Sequence, residues 1–328
     1  MILFLFCEQA TGDKAFVKNI FHYMVQEFTY WQNHHLVEVV KDNKVYFMVR
    51  FNCQDNGPRP ESYLEDYEVV QELDESDKTK MYWELKTGAE SGWDFSSRWG
   101  GDNLLDTKIR SIIPVDLNCF YALNARILAE YSLELFNDFS KAENFNKVSD
   151  LLTQAIDEVL WDSEDGIWYD YDIDTQESRK NYSPSNLTPL WTETYCKDSS
   201  KAKQALQYFL KQNLQVFPGG LPTTLSQSGQ QWDFPNCWPP LEHIIVQGLE
   251  KTEIPEAKEL AYLIAEKRVR GAYTNFLNQG HMFEKYDATS INKVGGGGEY
   301  EVQIGFGWTN GVVLDFLDMY SDRLTSQN

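Results

Sequence analysis

Residues 115–136 read VDLNCFYALNARILAEYSLELF and directly follow Pro114. A proline just before the first turn is a helix start signal. Apolar side chains recur in this stretch at every third or fourth position, which is the spacing of one face of an α-helix; they are Leu117, Phe120, Tyr121, Leu128, Tyr131 and Leu135. The stretch therefore predicts a long amphipathic helix.

The same spacing recurs on both sides of this helix. It predicts further helices over 14–31, 142–160, 200–213, 239–250, 255–278 and 310–320. Two short strands are predicted at 37–40 and 45–51, joined by Asp42-Asn43-Lys44. No polar linker divides the chain, so we predict one all-α domain of antiparallel helix pairs. Pairing alone fixes neither the number of helices nor their closure into a ring.

The glycine, proline and tryptophan residues concentrate between these helices. They fall mainly in five segments, which are 55–66, 88–103, 161–190, 217–240 and 292–309. Long non-helical connections between regular elements are usually functional. We therefore expect the chemistry of the protein on loops at one rim of the helical domain.

Composition excludes several classes of function. The 328 residues carry a formal charge of -21, with 50 acidic against 29 basic side chains, so no positive footprint for nucleic acid is expected. No stretch is long and apolar enough to cross a bilayer, and the apolar residues after Met1 lack the basic flank of a signal peptide. The five cysteines show no C-x-x-C spacing, so no zinc or other metal site is predicted.

Two carboxyl groups stand in contrasting surroundings. Asp94 lies in the stretch ESGWDFSSRW, among two tryptophans and a phenylalanine, and apolar surroundings raise the pKa of a carboxyl group as a general acid requires. Read alone, the stretch favours an Asp94 that is paired with Arg98 or caps a helix. Glu284, in EKYD, read alone favours a solvated charged turn.

Three other segments each leave two interpretations open. In 57–63, GPRPESY, the prolines hold the backbone extended, so Arg59 and Glu61 are either fixed hydrogen-bonding arms or a surface salt bridge. Segment 230–240, QQWDFPNCWPP, is either a rigid aromatic wall or a helix-entry plug. The glycines at 295–298 form either a loop that closes over a ligand or a loose linker; no Lys-Ser/Thr follows them, which argues against a phosphate cradle.

Taken together and in order, five motifs resemble the trehalase family. They are PRPESYLED at 58–66, ESGWDFSSRW at 90–99, QWDFPNCWPP at 231–240, EKYD at 284–287 and GGGGEYEVQIGFGWTNG at 295–311. The resemblance runs from about residue 14 to residue 320. It implies hydrolysis of the disaccharide α,α-trehalose to two glucose molecules with inversion, on an (α/α)6 toroid of helix hairpins. No metal or organic cofactor is implied.

The matching motif positions imply a role for particular residues. Asp94 would be the general acid and Glu284 the general base, and five residues would contact the sugars, namely Arg59, Pro60, Glu61, Gly92 and Glu299. The two carboxyl groups are 190 positions apart (284 − 94), so only folding could bring them to one cavity. The assignment fails if they lie on opposite sides of the molecule or share no cavity.

Three departures from the family pattern qualify this expectation. Cys237 stands where the family favours glycine or alanine, and Ile304 where a polar residue is expected. The family's PGGRF signature, its following Trp-Asp pair and an Arg-Ser-Gln sugar contact have no counterpart, so we expect a toroid incomplete at its N-terminus. The predicted division is a non-family segment 1–13, a catalytic domain 14–322 and a tail 323–328.

Two functions follow from these observations. The chain is either a trehalase or a truncated, catalytically impaired sugar-binding relative, and we expect little glucose release from the isolated chain. Relatives of this family are often secreted or membrane-anchored, and the sequence leaves the compartment of this chain open.

Overall fold

Helices make up most of the fold in the computed structural model, which describes residues 2–325. Residues 326–328 of the predicted tail lie outside the described residues. The helices are α1 Ile2–Thr11, α2 Lys14–His34, α3 Tyr63–Val70, α4 Glu75–Ser91, α5 Val115–Phe136, α6 Phe139–Ala155, α7 Thr188–Thr192, α8 Ser199–Lys211, α9 Pro239–Lys251, α10 Pro255–Gln279 and α11 Gly307–Met319.

The helices predicted from apolar spacing are confirmed, and their ends follow from capping residues. The Asp13 carboxylate caps α2 by accepting a hydrogen bond from the Phe16 amide, and Asp138 does the same for α6. Helices α9 and α10 each begin on a proline, whose missing amide hydrogen is not needed in a first turn. Helix α5 ends at Phe136 and is capped by Asn137, which adopts the left-handed conformation.

Helices α1, α3, α4 and α7 were not predicted. Helix α4 shows why, because it is polar along most of its length and buries few apolar side chains, among them Met81 and Leu85. Two buried positions are too few to produce a recognisable helical period. The chain from 63 to 91 is therefore more regular than its sequence indicates.

The predicted predominance of helix is confirmed, and within residues 2–325 nine short strands accompany the helices. The predicted pair is present as β1 Leu36–Lys41 and β2 Lys44–Val49, with Asp42 and Asn43 at positive φ in the turn. Seven two-residue strands follow: β3 Ile112–Ile113, β4 Trp161–Asp162, β5 Ile167–Trp168, β6 Tyr171–Asp172, β7 Glu177–Ser178, β8 Asn236–Cys237 and β9 Tyr286–Asp287. Strands this short carry no alternating pattern that a sequence could reveal.

The strands form four small antiparallel sheets, β1–β2, β3–β6–β7, β4–β5 and β8–β9. The last of these matters most for the site. It pairs Asn236 with Asp287 and Cys237 with Tyr286, and so joins the QWDFPNCWPP segment to the EKYD segment.

Packing separates the helical core from the loops above it. Helix α5 packs antiparallel against α6, and α9 packs against α10 and α11. Apolar side chains from these helices and from α2 form one large buried cluster. A separate cluster of tryptophans, Trp93, Trp99, Trp232 and Trp238, lies under the loops. Within residues 2–325, no helix has the length and apolarity needed to span a membrane.

Candidate active site

Asp94 lies on the loop that follows α4. The helix ends at Gly92, whose φ of +73° is a left-handed conformation that glycine adopts readily. Trp93 and Phe95 are buried on either side of Asp94. Burial raises the pKa of Asp94 to about 6, and the nearby carboxylates of Glu299 and Glu61 act in the same direction. A carboxyl group in this environment keeps its proton to a higher pH than an exposed aspartate does.

The alternative that Asp94 pairs with Arg98 is wrong. The guanidinium of Arg98 donates to both oxygens of Asp116, at 2.9 and 2.8 Å, and to Asp170 at 2.8 and 3.1 Å. It also lies 4.4 Å from the ring centroids of both Trp93 and Trp99. Arg98 therefore fixes the loop that carries Asp94 through its pairs with Asp116 and Asp170, and it does not pair with Asp94.

Glu284 is buried, which contradicts its interpretation as a solvated turn. Its Oε1 accepts a hydrogen bond from the Tyr300 hydroxyl at 3.2 Å, and its Oε2 accepts from the Gln303 amide at 3.4 Å. The indole of Trp308 donates to its backbone carbonyl at 2.9 Å. The segment 300–308 thus folds back over Glu284 and orients its carboxylate.

Asp94 and Glu284 both lie near Tyr300. Gln231 donates through Nε2 to the Asp94 carbonyl at 3.0 Å, and its side chain is close enough to affect the pKa of the Tyr300 hydroxyl. Burial raises the pKa of Tyr300 to about 12, and the charges of Glu284 and Asp94 both add to this shift. Tyr300 therefore contacts Glu284 directly and lies within electrostatic range of Asp94.

Arg59 and Glu299 are also brought together. The buried guanidinium of Arg59 donates to Asp66 at 2.6 Å and to Glu299 at 2.9 Å, and it lies 4.9 Å from the Phe95 ring centroid. Burial alone would lower its pKa, but the hydrogen bonds to these two carboxylates raise it. The Ser62 hydroxyl lies 3.4 Å from Glu299 as a further donor. The interpretation of Arg59 as part of a surface salt bridge is wrong, because it is buried.

The other two predicted positions of the 57–63 segment lie at the surface. Pro60 begins a short 3-10 turn, Pro60–Ser62, and both Pro60 and Glu61 are exposed. Glu61 is close enough for its charge to raise the pKa of Asp94. The segment 57–63 therefore places the Glu61 carboxylate near the loop that carries Asp94, and it buries Arg59.

The tryptophans of QWDFPNCWPP form a stack beneath the site. The rings of Trp232 and Trp238 are parallel with centroids 3.8 Å apart, and Trp93 stacks on Trp232 at 5.1 Å. All three are buried, so they support the loops rather than offer an open sugar platform. Between them, the buried Asp233 accepts from Ser96 Oγ and from the Ser97 amide, both at 2.8 Å.

A cavity of about 560 Å³ opens beside these loops. Phe95, Gln231 and Glu299 are among its lining residues, whereas Asp94 and Glu284 are not. The cavity therefore borders the carboxyl pair on the side of Glu299.

The two unusual residues at family positions are accommodated. The Cys237 thiol is buried, donates to the Tyr286 carbonyl at 3.3 Å and accepts from Arg268 Nη2 at 3.1 Å. Ile304 is 57% exposed, a position where a polar residue would also fit.

Several residues of the site were not recognised from the sequence, although all lie inside the quoted motifs. Gln231, Tyr300 and Asp66 make hydrogen bonds to Asp94, Glu284 and Arg59, respectively. Their spacing carries no signal, because each acts on a residue of a distant segment or through a turn that only the fold defines. A buried aspartate between aromatic residues, as in Trp232-Asp233-Phe234, was the one local hint for Asp233.

Comparison with known proteins identifies the family. A family model described as Trehalase matches residues 1–321, so the chain belongs to the trehalase family of glycoside hydrolases. It is 45% identical to the trehalase of Apis mellifera over 97% of this chain and 52% of that protein. It is 41% identical to human trehalase over 96% of this chain and 55% of that protein. The chain thus spans about half the length of these relatives.

The fold agrees with this assignment. The neutral trehalase of Saccharomyces cerevisiae superposes with a TM-score of 0.64 at 18% identity, over 83% of this chain and 52% of that structure. At this identity the likeness establishes a shared fold and no more.

The raised pKa of Asp94 predicts an effect on stability. Its pKa in the folded protein, about 6, exceeds the ordinary 3.8, so its stabilising contribution is present below pH 4 and is lost as pH rises through 6. The asparagine of Asp94→Asn cannot ionise, so this variant does not lose stability in that way. We expect the variant to be more stable than the wild type at pH 7 by about 1–2 kcal/mol, after discounting for partial exposure.

Thermal unfolding between pH 5 and pH 8 measures this difference. The gain should grow as pH rises from 5 to 7. Asp150→Asn, which changes an exposed aspartate on α6, provides the matched control and should show no such trend. An Asp94→Asn variant less stable than the wild type at pH 7 would contradict the burial of an ionisable carboxyl group here.

Proposed function

We propose that this chain carries the acid–base pair of a trehalose-hydrolysing active site, with Asp94 as general acid and Glu284 as general base. One observation supports this assignment above the others. Asp94 and Glu284 are 190 residues apart in sequence (284 − 94), yet Glu284 accepts a hydrogen bond from Tyr300 and the charges of both carboxylates raise the pKa of that same phenol group. Two carboxyl groups that share a neighbour but differ in their surroundings suit two different roles.

The reaction divides between these groups as follows. An inverting glycosidase holds its carboxyl groups about 6.5–9.5 Å apart, which leaves room for a water molecule. Asp94 gives its proton to the glycosidic oxygen as the bond to the anomeric carbon breaks. Glu284 removes a proton from water, whose oxygen bonds to the anomeric carbon from the opposite face. The products are two glucose molecules, one of them formed as the β anomer.

The remaining predicted residues would position the disaccharide. The side chain of Glu299 is 20% exposed and is held by Arg59, so its carboxylate can accept hydrogen bonds from sugar hydroxyls. Glu61 would do the same from the side of Asp94. Pro60 and Gly92 would contribute their backbone where the chain turns. The donors of Arg59 point at Asp66 and Glu299, so we assign Arg59 the orientation of Glu299 as its main task.

The proposal extends to the architecture. The antiparallel pairs α5/α6 and α9/α10 are the repeating unit of a helical toroid, and the shared fold with the yeast trehalase supports this arrangement. We propose that these pairs belong to an (α/α)6 toroid, with the carboxyl pair on loops at one end.

Trehalose hydrolysis tests this function directly. Because the chain spans about half the length of its relatives, the assay uses both the chain and a chimera in which it replaces the matching part of the Apis mellifera trehalase, hereafter the honeybee chimera. We expect the honeybee chimera to release two glucose molecules per trehalose. Proton NMR at early times should show equal amounts of the α and β anomers.

The other outcomes separate the alternatives. Release of the α anomer alone would contradict inversion. Binding of trehalose to the chain by calorimetry, without hydrolysis by either protein, would favour the catalytically impaired sugar-binding relative. If neither protein binds or cleaves trehalose, the proposed function is wrong.

A further inference from the structure

Lys285, the neighbour of Glu284, is a fully buried cation. Its Nζ donates to the carbonyl oxygens of Gly296 and Gly297, at 3.3 and 3.2 Å, and lies 5.3 Å from the Trp238 ring centroid. Burying an ammonium group is costly unless its hydrogen-bonding capacity is used. The group that receives these bonds is the glycine loop, residues 295–298.

Asn236 binds the same loop through the backbone of Gly296. Its Oδ1 accepts from the Gly296 amide at 2.9 Å and its Nδ2 donates to the Gly296 carbonyl at 2.8 Å. A β-carbon on Gly295 would lie 2.6 Å from Asn236 Oδ1 and 2.8 Å from Lys285 Cγ, so only glycine fits between the two side chains. The glycine loop is therefore clamped, and its interpretation as a loose linker is wrong.

The clamped loop leads directly into Glu299 and Tyr300. Glu299 binds Arg59, and Tyr300 donates to Glu284. A shift of the glycine loop would move both contacts, because no more than two residues separate the clamped carbonyls from Glu299.

We propose that Lys285 is a positioning residue that fixes the glycine loop and thereby places Tyr300 against Glu284 and Glu299 against Arg59. Its effect on catalysis rests on the proposed function of the site. Its effect on the loop does not, and is measured separately.

The electrostatics of Lys285 provide a second readout. Burial lowers its pKa to about 8, and the negative charge of Glu284 opposes this shift. Tyr300 stays protonated in this range, since its pKa is raised to about 12. Hydrogen bonds from a charged donor are roughly twice as strong as neutral ones. The hold on the glycine loop should therefore weaken as pH rises through 8.

The linked effect on global stability has the opposite sign. Because the pKa of Lys285 is lower in the folded protein than the ordinary 10.5, the unfolded chain binds more protons between pH 8 and pH 10.5. The contribution of this group to stability therefore rises with pH in that window. If the glycine loop loosens above pH 8, the titration of Lys285 cannot have caused this by destabilising the whole fold, because it has the opposite effect on global stability.

Hydrogen exchange of the full chain tests the clamp. The amides of Gly295, Gly296 and Gly298 are hydrogen-bonded and report on the loop. After correction for intrinsic rates, we expect their protection in the wild type to fall between pH 7 and pH 9. Lys285→Met should exchange about tenfold faster at pH 7 and show no further fall.

Lys267→Met is the matched control. Lys267 also donates to two backbone carbonyls, those of Gln215 and Phe217, and burial also lowers its pKa. The control should leave the glycine loop unchanged. Wild-type protection in Lys285→Met, or equal loosening in Lys267→Met, would overturn the proposal. If Lys285→Met does not fold, the wild-type pH series decides, and constant protection from pH 7 to pH 9 overturns it.

Activity of the honeybee chimera separates the effect of Lys285 on catalysis from its effect on the glycine loop. We expect Lys285→Met to lower kcat by about 10–100-fold, since small misplacement of reacting groups is costly, with a smaller change in KM. Full activity with a loosened loop would refute the positioning role. A chimera that is inactive with Lys285 intact counts against the proposed function, while hydrogen exchange still decides whether Lys285 clamps the loop.

Discussion

Glu284→Gln is expected to lower kcat of the honeybee chimera toward trehalose by about 10²–10⁴-fold, which is the usual contribution of a general base. The amide keeps the size of the carboxylate and can still accept a hydrogen bond from Tyr300, but it cannot remove a proton from water. Asp94→Asn should cause a loss of similar size, because it cannot protonate the glycosidic oxygen. Glucose release under saturating trehalose measures both.

A second substrate tells the two roles apart. Fluoride leaves α-glucosyl fluoride without needing a proton, so this substrate should restore much of the activity of Asp94→Asn. It should not restore the activity of Glu284→Gln, because water must still be activated by a base. If α-glucosyl fluoride rescues Glu284→Gln and not Asp94→Asn, the roles are reversed.

Glu301→Gln is the control for both substitutions. Glu301 is an exposed carboxylate on the same loop as Glu299 and Tyr300. Its replacement should change kcat less than twofold. A tenfold loss in this control, or a loss below tenfold in Glu284→Gln, would mean that the carboxyl pair has been assigned wrongly.

Arg98→Met is expected to destabilise the folded chain by about 3–5 kcal/mol, the usual effect of removing one partner of a buried ion pair. Methionine fills much of the space between Trp93 and Trp99. It leaves Asp116 and Asp170 buried without their cation, and these carboxylates are 13% and 7% exposed. The effect arises from unpaired charge rather than from lost volume.

Urea unfolding followed by tryptophan fluorescence measures this loss. Arg270→Met is the matched control, because Arg270 pairs with Glu266 on the surface of α10 with its side chain 33% exposed. That pair should contribute no more than about 1 kcal/mol. Equal effects of the two substitutions would show that Arg98 is not the electrostatic anchor of the Asp94 loop.

The helices predicted from sequence share a physical basis. Apolar spacing in α2 and α5, and caps such as Asp13 and Asp138, act within one or two turns of the chain. Helix α4 escaped prediction because its few apolar contacts leave no period. The two-residue strands escaped because each exists only where a distant segment pairs with it.

The local sequence indicated a functional role for one of the two carboxyl groups of the site and not for the other. Asp94 is flanked by Trp93 and Phe95, so its apolar surroundings were readable from its neighbours, and burial does raise its pKa. Glu284 is followed by Lys285 and reads as a solvated turn. Its burial comes from Tyr300 and the residues after it folding back over the EKYD segment. Only the resemblance of the motifs to a known family indicated Glu284 as a site residue.

Periodicity, capping and turn chemistry depend on residues a few positions apart, and for these the amino-acid order was sufficient. Ion pairing, burial and pKa depend on residues that folding brings from far along the chain. The ion pairs of Arg98, the bond from Gln231 to the Asp94 carbonyl and the clamp by Lys285 are of this second kind. No local pattern encodes them, because the free energy of a buried charge is set by whichever groups surround it after the chain has folded.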